Sequence, residues 1–214
     1  MKIAENKKTI ERSRTVGLKD ICVADVTTND SDAYAAETPV RLSKAISATI
    51  KETFSVEYLY SDDEVEDTTE TFEKAEIELE VSRLTPGDFA LLFDSLFEKG
   101  YLVKTESDRA KEIALGFRAK QNNGKYEFCW YYCGKAEHPE ESYETIKDKV
   151  TAQTQKITIT FYARKKEETI NGKVKRAYAI KVDESQLTEE YTEAKKAIAD
   201  WFSKVQERSE SEAA

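Results

Sequence analysis

Between Ala75 and Val81 the chain reads A-E-I-E-L-E-V, a strict two-residue alternation that fits a half-buried β-strand and no helix. Ala75, Ile77, Leu79 and Val81 share one face, and Glu76, Glu78 and Glu80 share the other. The strand ends a longer acidic stretch, residues 52–80. It carries twelve carboxylates (Glu52, Glu57, Asp62, Asp63, Glu64, Glu66, Asp67, Glu70, Glu73, Glu76, Glu78, Glu80) against one base, Lys74. Its formal charge is −11, whereas the whole 214-residue chain carries −9, so the remainder sums to +2. Like charges along one strand face repel. Folding alone therefore does not favour the three glutamates, and they must face water or a partner.

Upstream, Pro39 precedes Val40 and Leu42, and Ile46, Ala48 and Ile50 alternate with Ser47 and Thr49. The pattern predicts a strand over residues 45–60, a loop over 61–73 and a return strand over 74–82, so the acidic stretch forms a long hairpin. A thirteen-residue loop without structure of its own is uncommon, and such loops are either functional or mobile.

The remaining elements are mostly strands. Gly17 introduces a first strand over residues 18–26, and residues 27–38 read as a loop by their Asn, Asp and Ser content. Thr85 as N-cap, Pro86 at the first position and Asp88 in the first turn open a helix. Its apolar stripe of Phe89, Leu92, Phe93, Leu96 and Phe97 runs to Gly100 and reads as core. Tyr101 to Val103 is a short strand. Residues 113–120 and 126–133 flank Asn123-Gly124, a strong turn signal. Residues 154–163 form a long strand, turned back at Asn171-Gly172 into 174–182. Thr188 caps a final helix through Val205, with Tyr191, Ala194, Ile198, Trp201, Phe202 and Val205 at helical spacing. The pattern predicts an α+β fold, mainly β: an antiparallel sandwich or barrel with a flanking helix and a C-terminal helix. Its domains are an N-terminal arm (1–16), one domain (17–207) that includes the 61–73 loop, and a disordered tail (208–214).

Several chemistries lack their residues. No apolar run approaches the ~18 residues that cross a bilayer, and the N-terminus is polar, so neither span nor signal peptide is expected. Cys129 and Cys133 stand roughly 13 Å apart on one strand, too far to bridge. With Cys22, they point to a reducing cytosol. The single histidine, His138, has no Ser or Cys motif around it. Gly124-Lys125 lacks the remaining residues of a phosphate loop, and no spacing suits zinc or calcium. No cofactor and no catalysis are expected. The aromatic run Phe128, Trp130, Tyr131, Tyr132 has no basic stripe beside it, so nucleic-acid recognition is not expected either.

One block has a familiar order: Ala114-Leu115-Gly116-Phe117-Arg118, Asn123-Gly124-Lys125-Tyr126, Trp130-Tyr131-Tyr132, Gly134-Lys135, Pro139-Glu140-Glu141 with Tyr143 and Thr145, and Gln153-Thr154. Gly17-Leu18-Lys19-Asp20, Thr38-Pro39-Val40 with Leu42 and Lys44-Ala45-Ile46, Leu59-Tyr60 with Asp62-Asp63, and Trp201-Phe202 fit the same order. On these residues the chain resembles the major tail tube proteins of phages with long, non-contractile tails, of the type common in phages of Gram-positive bacteria. The final helix is longer and more charged than that pattern, and the basic arm is additional.

The resemblance implies a virion structural protein, assembled in the host cytoplasm, whose hexameric rings stack into a tube. It would contact itself and other tail proteins, and DNA would pass without specific binding; no membrane is involved. Its fold would be a tail-tube sandwich or barrel with a flanking helix. Glu76, Glu78 and Glu80 would face the lumen, where they repel phosphates, or else a solvated outer face. Asp62, Asp63, Glu64, Glu66, Asp67, Glu70 and Glu73 would form a loop docking on a neighbour, with the basic arm as one counterpart, or else a mobile solvated loop. The competing reading is a monomeric β-sandwich binding module that uses the acidic hairpin as its contact surface.

Overall fold

All the strand ladders in the computed structural model are antiparallel; it describes residues 13–61, 64–143, 145 and 154–208. In chain order the first elements are β1 (Thr15–Asn29), β2 (Tyr34–Ala36), β3 (Val40–Arg41), β4 (Ala45–Ser61), β5 (Glu64–Val81) and α1 (Pro86–Phe93). There follow β6 (Leu96–Glu98), β7 (Tyr101–Val103), β8 (Ile113–Gln121), β9 (Tyr126–Ala136) and β10 (Gln155–Tyr162). The chain then forms β11 (Glu167–Ile170), β12 (Lys173–Arg176), β13 (Ala179–Asp183), a 3-10 turn (Glu184–Gln186) and α2 (Thr192–Ala199). The main sheet runs β2-β1-β8-β9-β10-β5-β4, with β3 added to β1 and β13 to β9. β13 pairs with the first half of β9 and β10 with its last four residues, so the sheet forks there. β6–β7 and β11–β12 are separate two-stranded hairpins. The fold is mainly β, with one large antiparallel sheet and two helices, and no sheet closes on itself.

Two apolar layers explain the strand sequences. On the inner face, Ile21, Val23, Ile77, Leu79, Ile113, Leu115, Tyr131, Ile159 and Phe161 pack with Phe89, Leu92 and Phe93 of α1. On the outer face, Cys22, Ala114, Phe128 and Trp130 pack with Trp201, against which Ala197, Ile198 and Phe202 lean. β9 is covered on both sides, so Phe128-Cys129-Trp130-Tyr131-Tyr132 shows no polar alternation. β5 is covered on one side only and alternates. Two glycines permit the close approach: a Cβ on Gly116 would stand 2.6 Å from the Trp130 ring, and one on Gly134 would stand 2.4 Å from the Phe161 ring.

The C-terminal segment is fastened to the outer face by polar contacts. Trp130 Nε1 donates to the Trp201 carbonyl at 3.1 Å, and the Tyr132 hydroxyl donates to the Gln206 carbonyl at 3.0 Å. Arg164, with no exposed surface, pairs with Glu168 and Glu207 and lies over the Tyr132 ring at 4.2 Å.

Several expected boundaries move. The 61–73 loop is strand from Glu64 onward, and only positions 62 and 63 lie between β4 and β5. The ladder explains why an acidic strand forms: Glu64, Asp67, Glu70, Glu78 and Glu80 sit opposite Ser61, Leu59, Val56, Thr49 and Ser47, and Glu76 sits opposite Lys51. No carboxylate directly faces another, so the pairing avoids the strongest repulsion. Residues 27–38 likewise extend β1 to Asn29 and include β2. Ile46 does not share the inward face with Ala48 and Ile50; it is the extra residue of a bulge and is 55% exposed.

The first helix has its capping box between Thr85 and Asp88, but it stops at Phe93, where Asp94 turns left-handed at φ 55°. Lys111 N–H donates to the freed Leu92 carbonyl at 2.9 Å. Leu96 and Phe97 therefore lie in β6 and are exposed, and Gly100 (φ 85°) turns β6 into β7. The strand expected over 174–182 is split at Ala177-Tyr178 into β12 and β13. The final helix shrinks to eight residues that begin after Tyr191, which makes no side-chain cap bond. Thr188 caps nothing there, and Trp201 and Phe202 reach the outer layer from turns. No helix among the described residues is long and apolar enough to cross a membrane.

Candidate functional site

The β4–β5 hairpin outruns the body of the sheet. Up to the Thr53↔Lys74 pair, β5 is flanked by β10 or lies beside it; beyond that point only β4 and β5 pair with each other. The ladder skips Glu73, pairing Phe54 with Phe72. That one-residue bulge reverses which face of β5 points inward. Phe72, rather than Glu73, thus joins the row begun by Ala75 and Ile77. It stacks on Tyr178 with ring centroids 3.8 Å apart and planes 7° apart. At the same root, the Tyr131 and Tyr178 hydroxyls donate to Glu52 at 3.4 and 3.3 Å.

On β4 the inward row Ala48, Ile50, Glu52 continues as Phe54, Val56 and Tyr58, past the end of the core. These three side chains are 41%, 45% and 55% exposed. The hairpin therefore carries the core face of the sheet out into solvent. β4, seventeen residues long, is the last strand of the sheet order. Among the described residues its other edge has no ladder partner. The phenylalanine, valine and tyrosine of F-S-V-E-Y alternate in the sequence, but the surrounding acids hide them.

Asp62 and Asp63 lie outside the described residues. Glu64, Glu66 and Asp67 are in β5, Glu70 is opposite Val56, and Glu73 is the bulge residue; Glu70 and Glu73 are exposed. Of the counterpart expected for them, the basic arm 1–16, residues 1–12 also lie outside the described residues.

Glu76, Glu78 and Glu80 share the outer face of β5, where no element among the described residues covers β4, β5 or β10. This face is not a bare acidic row. Lys74 Nζ donates to Glu76 at 2.8 Å and Lys156 Nζ to Glu78 at 2.8 Å. Thr154 and Ser47 hydroxyls donate to Glu80 at 2.7 and 3.3 Å. Lys51 and Lys135 extend the cross-strand row of Glu76 and Thr160. The hydrogen bond and charge of Lys74 lower the Glu76 carboxyl below its usual range, and Glu78 raises the Lys156 ammonium above its own. Lys74 lies on β5 itself and the other cations come from β4, β9 and β10, so repulsion along β5 is relieved in the folded sheet.

His138 and Asp108 are engaged in structure. His138 stacks on Phe93, with centroids 4.2 Å apart. Ser95 donates its hydroxyl proton to Asp108 at 2.6 Å, which, with Thr105, holds that carboxyl below its usual range. No metal-binding group of three His, Cys, Asp or Glu occurs among the described residues. The three cysteines are free and buried. Burial, with Glu127 and Glu112 respectively, pushes Cys129 and Cys133 up to about 12. The reactive thiolate is therefore scarce at neutral pH. Native protein at pH 8 is expected to resist a maleimide over minutes, and guanidinium-unfolded protein to label at all three thiols.

No protein-family model matches the chain, and no curated protein matches it.

Proposed function

We propose that this chain is a structural virion protein that assembles with copies of itself into stacked hexameric rings, the tail tube through which a long-tailed phage ejects DNA. The observation that carries the reading is the open edge of β4 together with the exposed Phe54, Val56 and Tyr58 row. An unpaired edge of that length templates uncontrolled pairing unless something covers it. A neighbouring copy supplies both a strand for the edge and a surface for the row. A head-to-tail contact of this kind closes into a ring by rotation, and a barrel continued across subunits has no edges left. The order of short sequence motifs supports a tail-tube sandwich as the fold and a tube as the assembly.

In that tube the uncovered face of β4, β5 and β10 lines the channel. Glu76, Glu78 and Glu80 supply the repulsion, and the two lysines bonded to them, Lys74 and Lys156, are held by carboxylates. Lys51 and Lys135, exposed on the same face, offset part of it. Screening over ~8 Å at physiological salt confines the effect to the wall. The hairpin, with Glu70 and Glu73 beside its apolar row, docks on the next subunit. No catalysis, cofactor or membrane enters this role; other tail proteins contact the tube in the virion.

Negative-stain microscopy of the purified protein at high concentration is expected to show rings or rods. Monodisperse particles at every concentration would overturn the reading and favour a monomeric module that uses the acidic hairpin as its contact surface. In a map of the tube the side chains of Glu76, Glu78 and Glu80 are expected inside the channel; finding them outside removes the lumen assignment.

A further inference from the structure

A second hairpin has the opposite charge. Residues 164–176 hold six basic residues against Glu167 and Glu168, a net +4 within a chain of −9. Arg164 and Lys166 are spent on Glu168 and Glu207. Lys165, Lys173, Lys175 and Arg176 are exposed and form no ion pair among the described residues. Three of them lie on β12, whose Val174 is 66% exposed. β11 and β12 form a four-pair ribbon turned at Asn171 (φ 54°) and Gly172 (φ 72°). So short a ribbon is marginal by itself. Its base is tied down where Glu167 N–H donates to the Ser31 carbonyl and Arg208 to the Thr169 carbonyl, both at 3.0 Å.

The β4–β5 hairpin offers the complement. Glu57, Glu70 and Glu73 are exposed and likewise without an ion pair among the described residues; Glu70, opposite Val56, shares the face of the Phe54, Val56 and Tyr58 row, Glu57 lies on the other face and Glu73 at the bulge. No ion pair among the described residues joins the two hairpins within one chain, so each keeps its charge for another molecule.

We infer that the basic β11–β12 hairpin of one copy receives the acidic β4–β5 hairpin of the next, the β12 face of Val174 and Arg176 meeting the apolar row and Glu70, while Lys173 and Lys175 on its other face complement the charges of Glu57 and Glu73. The inference rests on the self-assembly reading above and names the surface that the hairpin docks on. The contact is heterologous, because different patches meet, and it therefore propagates from copy to copy. Complementary charge fixes register and speeds encounter. Nucleic acid is the weaker fit for the ribbon: residues 164–176 contain no aromatic side chain for stacking, and every copy brings its own acidic partner.

The test is a charge exchange. One variant carries Lys173→Glu, Lys175→Glu and Arg176→Glu; the other carries Glu57→Lys, Glu70→Lys and Glu73→Lys. All six positions are exposed, so both are expected to keep the wild-type circular dichroism spectrum and melting point. In sedimentation velocity and negative stain, each variant alone is expected to stay monomeric where wild type assembles, because the three exchanged positions on one hairpin now match the sign of the three they would face on the other. An equimolar mixture is expected to restore the assemblies. Wild-type association is expected to weaken about tenfold or more between roughly 0.05 and 0.5 M salt, as screening shortens. Unaltered assembly of either variant, or a monomeric mixture of two folded variants, overturns the pairing while leaving the tube reading standing. Wild type that never assembles overturns both. If the first variant loses binding to a short DNA duplex yet still assembles, the ribbon is a nucleic-acid site and the pairing is wrong.

Discussion

Replacing Arg164 by alanine is expected to lower the unfolding free energy by about 3–5 kcal/mol, the range for breaking a buried ion pair from one side. The guanidinium has no exposed surface and pairs with Glu168, whose side chain is 5% exposed, and with Glu207, at 29%. It also lies over two rings, Tyr132 at 4.2 Å and Tyr34 at 5.1 Å, while the Tyr34 hydroxyl donates to the Tyr132 carbonyl at 2.6 Å. Alanine would leave Glu168 charged and unpaired where water does not reach, and would empty the space between two tyrosines. Glu207 is half-exposed and has Lys166 as a second partner at 3.1 Å, so Glu207→Gln is expected to cost about 1 kcal/mol or less. Methionine at both Arg164 and Glu168 removes both charges together and is expected to cost less than Arg164→Ala alone. Urea melts of the three variants check the order. A loss under about 1 kcal/mol for Arg164→Ala would mean that the cluster is wetter than its burial indicates.

Trp201→Ala is expected to cost about 3–5 kcal/mol, as for other buried tryptophans. The residue is 1% exposed, its ring lies 5.6 Å from that of Phe128, and its Nε1 donates to the Cys129 carbonyl at 3.4 Å. Its main effect should be local. α2 has no fully buried residue of its own and borders a groove of about 840 Å3 lined by Ile180, Val182, Ala194 and Ala197. Trp201 therefore pins a loosely seated helix, and its removal should expose α2 before it exposes the sheet. Hydrogen exchange on the variant is expected to show loss of protection over residues 192–203 at conditions where β8 and β9 stay protected. Uniform loss across both would mean that α2 and the sheet open as one unit.

The strands were legible where burial is one-sided or a turn residue is unambiguous. Ala75 to Val81 alternates because only one face of β5 is covered, and Asn123-Gly124 turns β8 into β9 with Gly124 at φ 84°. Helix ends were harder. The apolar stripe through Leu96 and Phe97 keeps its period after Phe93, and what stops the helix is a left-handed Asp94 and a distant donor, Lys111, that no local pattern announces. Trp201 and Phe202 keep helical spacing after Ala199 although they sit in turns, because the spacing records which side faces the sheet rather than which backbone carries it. At the candidate site, the row of acids was legible but its partners were not. Lys156 on β10 and Thr154 just before it are more than seventy residues away from Glu78 and Glu80. The exposed Phe54, Val56 and Tyr58 row keeps the plain alternation of β4 and is masked by the acids around it; what no local pattern shows is that the bulge at Glu73 brings Phe72 to the same face. The strand from Glu64 onward is not visible in the sequence because its acids suggest a loop, whereas the pairing with β4 sets no carboxylate opposite another.

The extra residue at Glu73 also sets how the hairpin can vary. It lets the distal part be read in a different frame from the part inside the sheet, so the two need not change together. Adding or removing one residue on each strand beyond it would alter the reach by about 3.3 Å per pair and leave Ala75, Ile77, Leu79 and Val81 in place. In the stack of copies proposed above, that reach would act as a spacer. The distance between neighbours would then be tuned by paired insertions at one tip, without any change to the core that folds each copy.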